Sequence, residues 1–401
     1  MTATTPVNQK HVLLYEPRTE GHHITWLRFI IEDLLSAGVR LTLAVDQRPK
    51  PFEKIQGHLA ELLLQVECIN ATGPTGTPKN KTAAVAACLR QSGADFVFLC
   101  ALDEIASDIW RKASLGWKPP LGLRGRMGGI YHRPRFFSAS DWSPQRWFKM
   151  LGFRRLLGQG WLRQLVLLDE FLAAEVKLQF PQAPVFALPC PCLPMALPPS
   201  ALARQELGVP ADRHVFLFYG GGYRRKGLHL AVEAMLDVSP KSPAFLLCVG
   251  QQNPTGEVAS GLDKLVRQNR ALLLNRYVTT AEEQLSFAAC DTVLLPYIHH
   301  FGASAVLAQA AAARRMVIVS DEELMGRLTS NHGLGLLFTP DDSKALRLKM
   351  QEAIQLPPGN LERFKVAAEV FARLCSRETY RRILLNAILH PELPPTGLPS
   401  H

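Results

Sequence analysis

HVFLFYGGGYRRKGLHLAVEAM, residues 214–235, decides how the chain is built. Five apolar residues follow His214, three glycines interrupt them, three cations come next, and apolar positions then recur at helical spacing. A strand buried on both faces, a tight turn and an amphipathic helix make the βα unit of a parallel α/β fold. Ligands of such sheets bind beyond the carboxyl ends of the strands, where helix N-termini offer N–H groups and partial positive charge to an anion. Glycine lets the backbone approach a phosphate closely, and Arg224, Arg225 and Lys226 add charge. The stretch fits a diphosphate, although in isolation it equally fits a flexible loop with solvated cations. It is neither G-x-G-x-x-G nor G-x-x-x-x-G-K-[ST], which argues against an ordinary dinucleotide or ATP site.

Outward from this unit the pattern repeats. AFLLCVG (244–250), ALLLN (271–275), DTVLLPY (291–297) and MVIVSD (316–321) read as strands, with helices near 258–268, 280–289, 303–314 and 341–355. On the N-terminal side HVLLYE (11–16), LTLAV (41–45), VECI (66–69), DFVFLC (95–100), LVLLD (165–169) and VFAL (185–188) alternate with helical segments in the same manner. Between the two series lies LPCPCLPMALPPS (188–200), whose prolines mark a linker. With 401 residues, two α/β domains are expected. The boundaries read as 1–192 for the first domain, 193–212 for the linker, 213–365 for the second domain, 366–390 for helices packing back across the junction, and 391–401 for a tail.

Composition narrows the classes. No apolar run approaches the roughly 20 residues of a spanning helix, and MTATTPVNQK lacks the apolar core of a secretory signal, so a cytoplasmic chain is expected. The cysteines are scattered singly apart from Cys190 and Cys192, with no second Cys/His pair at zinc-like spacing. No metal and no cofactor are expected. The net charge of +10 is concentrated: residues 111–163 hold twelve Lys or Arg against the single acid Asp141, together with nine aromatics. Basic residues interleaved with aromatics suit an anionic membrane surface or a nucleic acid. No nucleic-acid module accompanies them, so a membrane contact through SPQRWFKMLGFRRLLGQGWLRQL (143–165) is the expectation, with a basic acceptor groove or an ordinary interface as the other readings. This segment is not a clean amphipathic helix, since apolar and basic positions interleave and Gly152 and Gly158 interrupt it.

A second anion site is legible in PYIHHFGASAVLAQAAAARRMVIVSD, 296–321. A strand ends at Pro296, a loop carries His299, His300, Phe301 and Gly302, and a small-residue helix begins near Ala303, placing Ser304 in its first turn with hydroxyl and N–H available. With this stretch the second domain resembles the donor-binding half of the GT-B glycosyltransferases of group 1. The shared features are a glycine-rich turn ending in Lys-Gly, a strand ending in Pro, a Phe-Gly loop, an alanine-rich helix and a strand ending in Ser-Asp. The resemblance implies two Rossmann-like domains facing across a cleft, with a C-terminal helix crossing back to the first. It further implies a nucleotide-sugar substrate bound by Gly221, Gly222, Arg225, Lys226, Phe301, Gly302, Ala303, Ser304 and Gln309. The family carries two glutamates eight residues apart around the Phe-Gly loop; here the positions fall at His300 or Phe301 and at Gln309, none of them acidic.

In the first domain EPRTEGHHITWLRFI places Gly21, His22 and His23 in the turn after the first strand, and GIYHRP places His132 at a strand end. Histidine titrates near working pH, so His22 or His132 is a candidate catalytic base toward an acceptor hydroxyl, with Gly21 and His23 on the acceptor side; a helix-capping or solvated pair is the other reading of the turn. Glu16, Asp103 and Glu104 fall at strand ends on the same side. The expected function is transfer of a sugar from a nucleotide-sugar to a glycan or lipid-linked acceptor, on a protein peripheral to the inner face of a membrane and engaged in polysaccharide biosynthesis. Two alternatives stay open: a non-catalytic GT-B-like partner that binds glycan or nucleotide, and a nucleotide-sugar epimerase.

Overall fold

The computed structural model describes residues 9–19, 23–72, 80–132, 144–222 and 224–391, except the side chains of Gln145 and Arg146. The chain divides into two compact units: the described residues up to Pro189 together with those from Tyr380 onward, and Cys190–Thr379.

In the first unit β1 (His11–Glu16), α1 (His23–Ser36), β2 (Arg40–Val45), α2 (Pro49–Leu63), β3 (Glu67–Asn70), α3 (Lys81–Ser92) and β4 (Phe96–Leu99) alternate in order. They are followed by α4 (Asp103–Ser114), β5 (Met127–Tyr131), α5 (Pro144–Gly158), β6 (Gln164–Leu167), α6 (Glu170–Gln179) and β7 (Val185–Ala187). The sheet runs β3-β2-β1-β4-β5-β6-β7 and every pair is parallel. Both faces are covered, so the strands read as continuous apolar runs; Leu13, Val97, Leu99 and Leu165 join Phe153 and Trp161 in one core.

The second unit begins with α7 (Ser200–Leu207), which lies inside the stretch read as linker and packs on the helix Thr280–Ala289. It continues through β8 (His214–Tyr219), α8 (Leu228–Asp237), β9 (Ala244–Val249), α9 (Gly256–Arg267), β10 (Ala271–Leu274), α10 (Thr280–Ala289) and β11 (Thr292–Leu295). Then come α11 (Ala305–Ala312), β12 (Met316–Ser320), α12 (Glu323–Asn331), β13 (Gly335–Phe338), α13 (Ser343–Gln355) and α14 (Pro358–Leu374). The six strands are parallel in the order β10-β9-β8-β11-β12-β13. The strand order reverses beside β8, and the reversal point of a doubly wound sheet is where its ligand binds.

The long C-terminal helical stretch is two helices, α14 and α15 (Arg377–Leu389), separated at Cys375-Ser376. From Tyr380 on, α15 belongs to the first unit, as a helix returning to the first domain requires. Tyr380 is fully buried, its ring edge-on to Trp26 and Phe29, and Arg381 reaches the buried Asp33 at 3.6 Å and Ser36 Oγ at 2.8 Å.

The basic segment differs from its sequence reading. Residues 144–158 form a continuous α5, and Gly152 does not interrupt it. A Cβ at Gly152 would lie 2.2 Å from Ser114 Oγ and 2.7 Å from the Trp110 ring, so this glycine lets α5 lie against α4. Cys190 and Cys192 are core residues: burial pushes their thiols up to about 12 and about 11, which disfavours the thiolate a metal would need.

Candidate functional site

The turn after β8 is shaped by close backbone contacts. A Cβ on Gly222 would lie 2.1 Å from the Gln252 carbonyl oxygen, and one on Gly227, whose φ is +76°, would lie 1.8 Å from the carbonyl oxygen of Pro296. No other residue fits either place. Between them Arg224–Lys226 make one 3₁₀ turn leading into α8. The Arg225 carbonyl accepts from the Ile298 N–H at 2.9 Å, joining the glycine turn to the loop after β11. Side chains repeat the connection: Arg225 Nη1 lies 3.3 Å from His300 Nδ1, and Lys226 Nζ sits 3.8 Å over the Tyr297 ring. Because a guanidinium only donates, His300 Nδ1 is the acceptor of that pair.

The loop is held from its other side by Glu322, which accepts from the His299 N–H at 2.7 Å and lies 3.2 Å from His299 Nδ1. Beyond it Ser304 is the N-cap of α11 rather than a first-turn residue, and the helix starts at Ala305. The Ser304 hydroxyl makes no cap bond; it lies 3.2 Å from the Tyr297 hydroxyl. Gly227, the N-cap of α8, has no side chain with which to cap. Two helix N-termini without side-chain caps, with Arg225 and Lys226 beside them, form a place suited to an anion.

Gln309 is oriented by its neighbours. Its Nε2 donates to Glu283 Oε1 at 2.7 Å, and the Tyr219 hydroxyl donates to Glu283 Oε2 at 2.7 Å. A carboxylate only accepts, so the amide NH₂ faces Glu283 and the carbonyl Oε1 is turned away from it. Burial, reinforced by the Glu283 charge, pushes the Tyr219 phenol up, keeping it the neutral donor the contact needs.

In the first unit two histidines are each gripped by a carboxylate at the carboxyl ends of the strands. His23 Nδ1 lies 3.0 Å from Glu16 Oε2, and Glu16 is only 1% exposed. His132 Nδ1 lies 3.2 Å from Asp103 Oδ2, which also accepts from the His132 backbone N–H at 2.8 Å. Burial acts to raise the Asp103 carboxyl, but the hydrogen bonds and charge of His132 together outweigh it and hold it below the usual carboxylate value. The two imidazoles are 5.9 Å apart, and Trp26 stands 5.5 Å from His132. Glu104 pairs with Arg18 and Lys81.

Among the residues expected from sequence, Gly221, Gly222, Arg225 and Lys226 stand in the turn after β8, and Phe301, Gly302, Ala303, Ser304 and Gln309 follow β11. Hydrogen bonds join the two loops. His23 and His132 come together; Gly21 and His22 lie outside the described residues. Sequence reasoning did not find Tyr297, Glu283 or Glu322. Nothing local marks Glu283, whose contacts span 64 and 26 residues, but Glu322 stands directly after a strand ending in Ser-Asp, a position worth noting. Among the described residues no group of three or more His, Cys, Asp or Glu could hold a metal ion, and no helix is long and apolar enough to cross a membrane.

Residues 213–355 match the family model for glycosyl transferases group 1. The fold is similar to that of a glycosyltransferase from Rickettsia africae, at 15% identity and a TM-score of 0.68 over 96% of this chain and 100% of that one. It is also similar to HepE from Anabaena, solved with UDP, at 15% identity and a TM-score of 0.64 over 95% and 99% of the two chains. For sucrose-phosphate synthase from Thermosynechococcus elongatus the identity is 18% and the TM-score 0.60 over 95% and 96%. A sequence search of curated proteins finds no match. The two parallel sheets and their flanking helices are thus those of the GT-B fold, and the stretch of the second unit that holds the glycine turn and α11 lies within the residues similar to the group 1 glycosyl transferases.

Proposed function

We propose that the protein transfers a sugar from a nucleotide-sugar, held by the second unit, to a glycan or lipid-linked acceptor at the first. The observation that carries this is the joined pair of loops after β8 and β11, which ties Arg225 and Lys226 to the loop leading to α11, each loop running into a helix without a side-chain cap, inside the region matched by the family model. When the bond from sugar to phosphate breaks, negative charge grows on the leaving diphosphate. Donors fixed in advance around that charge lower the barrier without reorganising, and in this reading Lys226, Arg225 and the backbone N–H groups at the head of α11 do so. HepE has been solved with UDP-glucose, which makes uridine nucleotides the first to try. Gln309 would meet a hydroxyl of the donor through its Oε1. On the acceptor side His132 or His23, each with Nδ1 fixed by a carboxylate, would take the proton of the attacking hydroxyl.

The basic, aromatic face of the first unit supports docking on an anionic membrane. Trp117 and Trp147 are 60% and 65% exposed, Phe148, Leu115, Leu121 and Leu151 are exposed as well, and Lys118, Lys149 and Arg154 stand among them. Each cation near such a surface contributes about 1 kcal/mol, and the aromatic rings suit the interfacial region. Co-sedimentation with vesicles is expected to show binding to anionic and not to neutral lipid; equal binding to both, or none, overturns the docking.

For the transfer itself, the protein is incubated with a panel of UDP-, GDP- and ADP-sugars and release of the nucleoside diphosphate is followed. Release from one of them, falling at least tenfold in Lys226→Ala, is expected. A chain that binds a nucleoside diphosphate but releases none from any donor, with or without glycan acceptors, would be a binding partner instead.

A further inference from the structure

Resting on the donor-site reading above, we propose that Tyr297 keeps the head of α11 open for the diphosphate by engaging the one side chain that would otherwise cap it. A serine at the N-cap ordinarily accepts from the N–H two or three residues on. Asn80, Asp169, Thr279 and Asp342 make this bond at the heads of α3, α6, α10 and α13, whereas Thr255, the hydroxyl residue at the head of α9, does not. Ser304 has extended backbone, φ −117° and ψ 126°, as a capping residue should, yet makes no such bond. Its hydroxyl is instead 3.2 Å from that of Tyr297, and the two residues are 5% and 2% exposed. The Leu307 N–H turns to the Ser304 backbone carbonyl at 3.1 Å, so the Val306 N–H is the donor a capping Ser304 Oγ would take.

Tyr297 reaches the other half of the clamp as well. The face of its ring carries the Lys226 ammonium at 3.8 Å. One buried side chain therefore holds the lysine from the glycine turn and withholds the serine from the helix. Removing only its hydroxyl separates these tasks: the ring stays under Lys226, and the Ser304 hydroxyl is released to turn onto Val306 and compete with the phosphate oxygen for the same N–H. Tyr297 is a positioning residue in this account, since it acts through Ser304 and Lys226.

The test is a second substitution that rescues the first. UDP, ADP and GDP are titrated calorimetrically into the wild-type protein, and the tightest is carried through Y297F, S304A and Y297F/S304A, with inorganic pyrophosphate in parallel to read the clamp alone. Y297F is expected to weaken binding at least about fivefold, and Y297F/S304A, with no hydroxyl left to cap the helix, to return to within about twofold of S304A. The melting temperature of Y297F should stay within about 3 °C of wild type, because one hydrogen bond is exchanged for a cap. Binding by Y297F equal to wild type, a double variant as weak as Y297F, or a Y297F protein that loses more than about 5 °C or fails to fold each overturn the role of Tyr297 alone. A wild-type protein that binds none of the three nucleotides overturns the donor-site reading and this inference with it.

Discussion

The loops after β8 and β11 and the cluster after β1, β4 and β5 both lie at the carboxyl ends of central strands of their respective sheets and are built from opposite materials. In the second unit the groups are glycines, backbone N–H donors and cations, brought close by hydrogen bonds between two loops. In the first unit they are imidazoles, each fixed by a carboxylate. Donors and positive charge suit an anion that must be held and then released with more charge than it brought. A histidine whose Nδ1 is bound to a carboxylate suits a proton that must move. In the reading proposed above, binding falls to one sheet and proton transfer to the other, and the variants below separate a loss that includes nucleotide binding from one that leaves it intact.

The largest effect is expected at Gly227. Gly227→Ala forces a side chain into a left-handed backbone and against the Pro296 carbonyl, and should cost about 3 kcal/mol or more in urea unfolding and abolish nucleotide binding. A stable, binding variant would show that the two loops are not rigidly joined. Next is His132→Ala, which should lower turnover about 100-fold while leaving the dissociation constant for the nucleoside diphosphate unchanged. An equal loss in both would erase the division between the units. Lys226→Ala, unlike His132→Ala, should weaken nucleotide binding, at least about tenfold, worth about 1.5 kcal/mol, alongside the slower release from the donor, with little change in unfolding.

The smallest effect concerns pH. The folded Asp103 carboxyl is held below its ordinary value, so its contribution to stability is present above the usual carboxylate range and is lost as pH falls through the lower folded value. Chemical denaturation from pH 6 to pH 3 should therefore show wild type losing more stability than Asp103→Asn. Parallel curves would mean that the pair with His132 does not hold in solution.

The two regions also differed in how far the sequence disclosed them. The turn after β8 is written in adjacent letters, Gly220 to Gly227, and strand, turn and helix were each marked by local chemistry. The pairs Glu16–His23 and Asp103–His132 have members 7 and 29 residues apart. Their residues were visible at strand ends, but nothing in their spacing told caps from partners. Glu283 illustrates the limit further: in the first turn of α10 beside the capping-box residue Glu282, it looks like a second cap residue. Only the sheet order, which sets Tyr219 and Gln309 on either side of it, makes it an anchor. Gly152 misled in the other direction, since a glycine that breaks an exposed helix is indistinguishable in sequence from one that lets a buried helix face approach its neighbour.

The most direct measurement of the central claim is hydrogen exchange with and without the tightest-binding nucleoside diphosphate. If the glycine turn and the head of α11 hold the diphosphate, exchange should slow in peptides covering 220–228 and 297–309 and remain unchanged around His23 and His132. Protection absent from both of those peptides, or appearing instead in the first unit, would contradict the assignment of the donor to the second sheet.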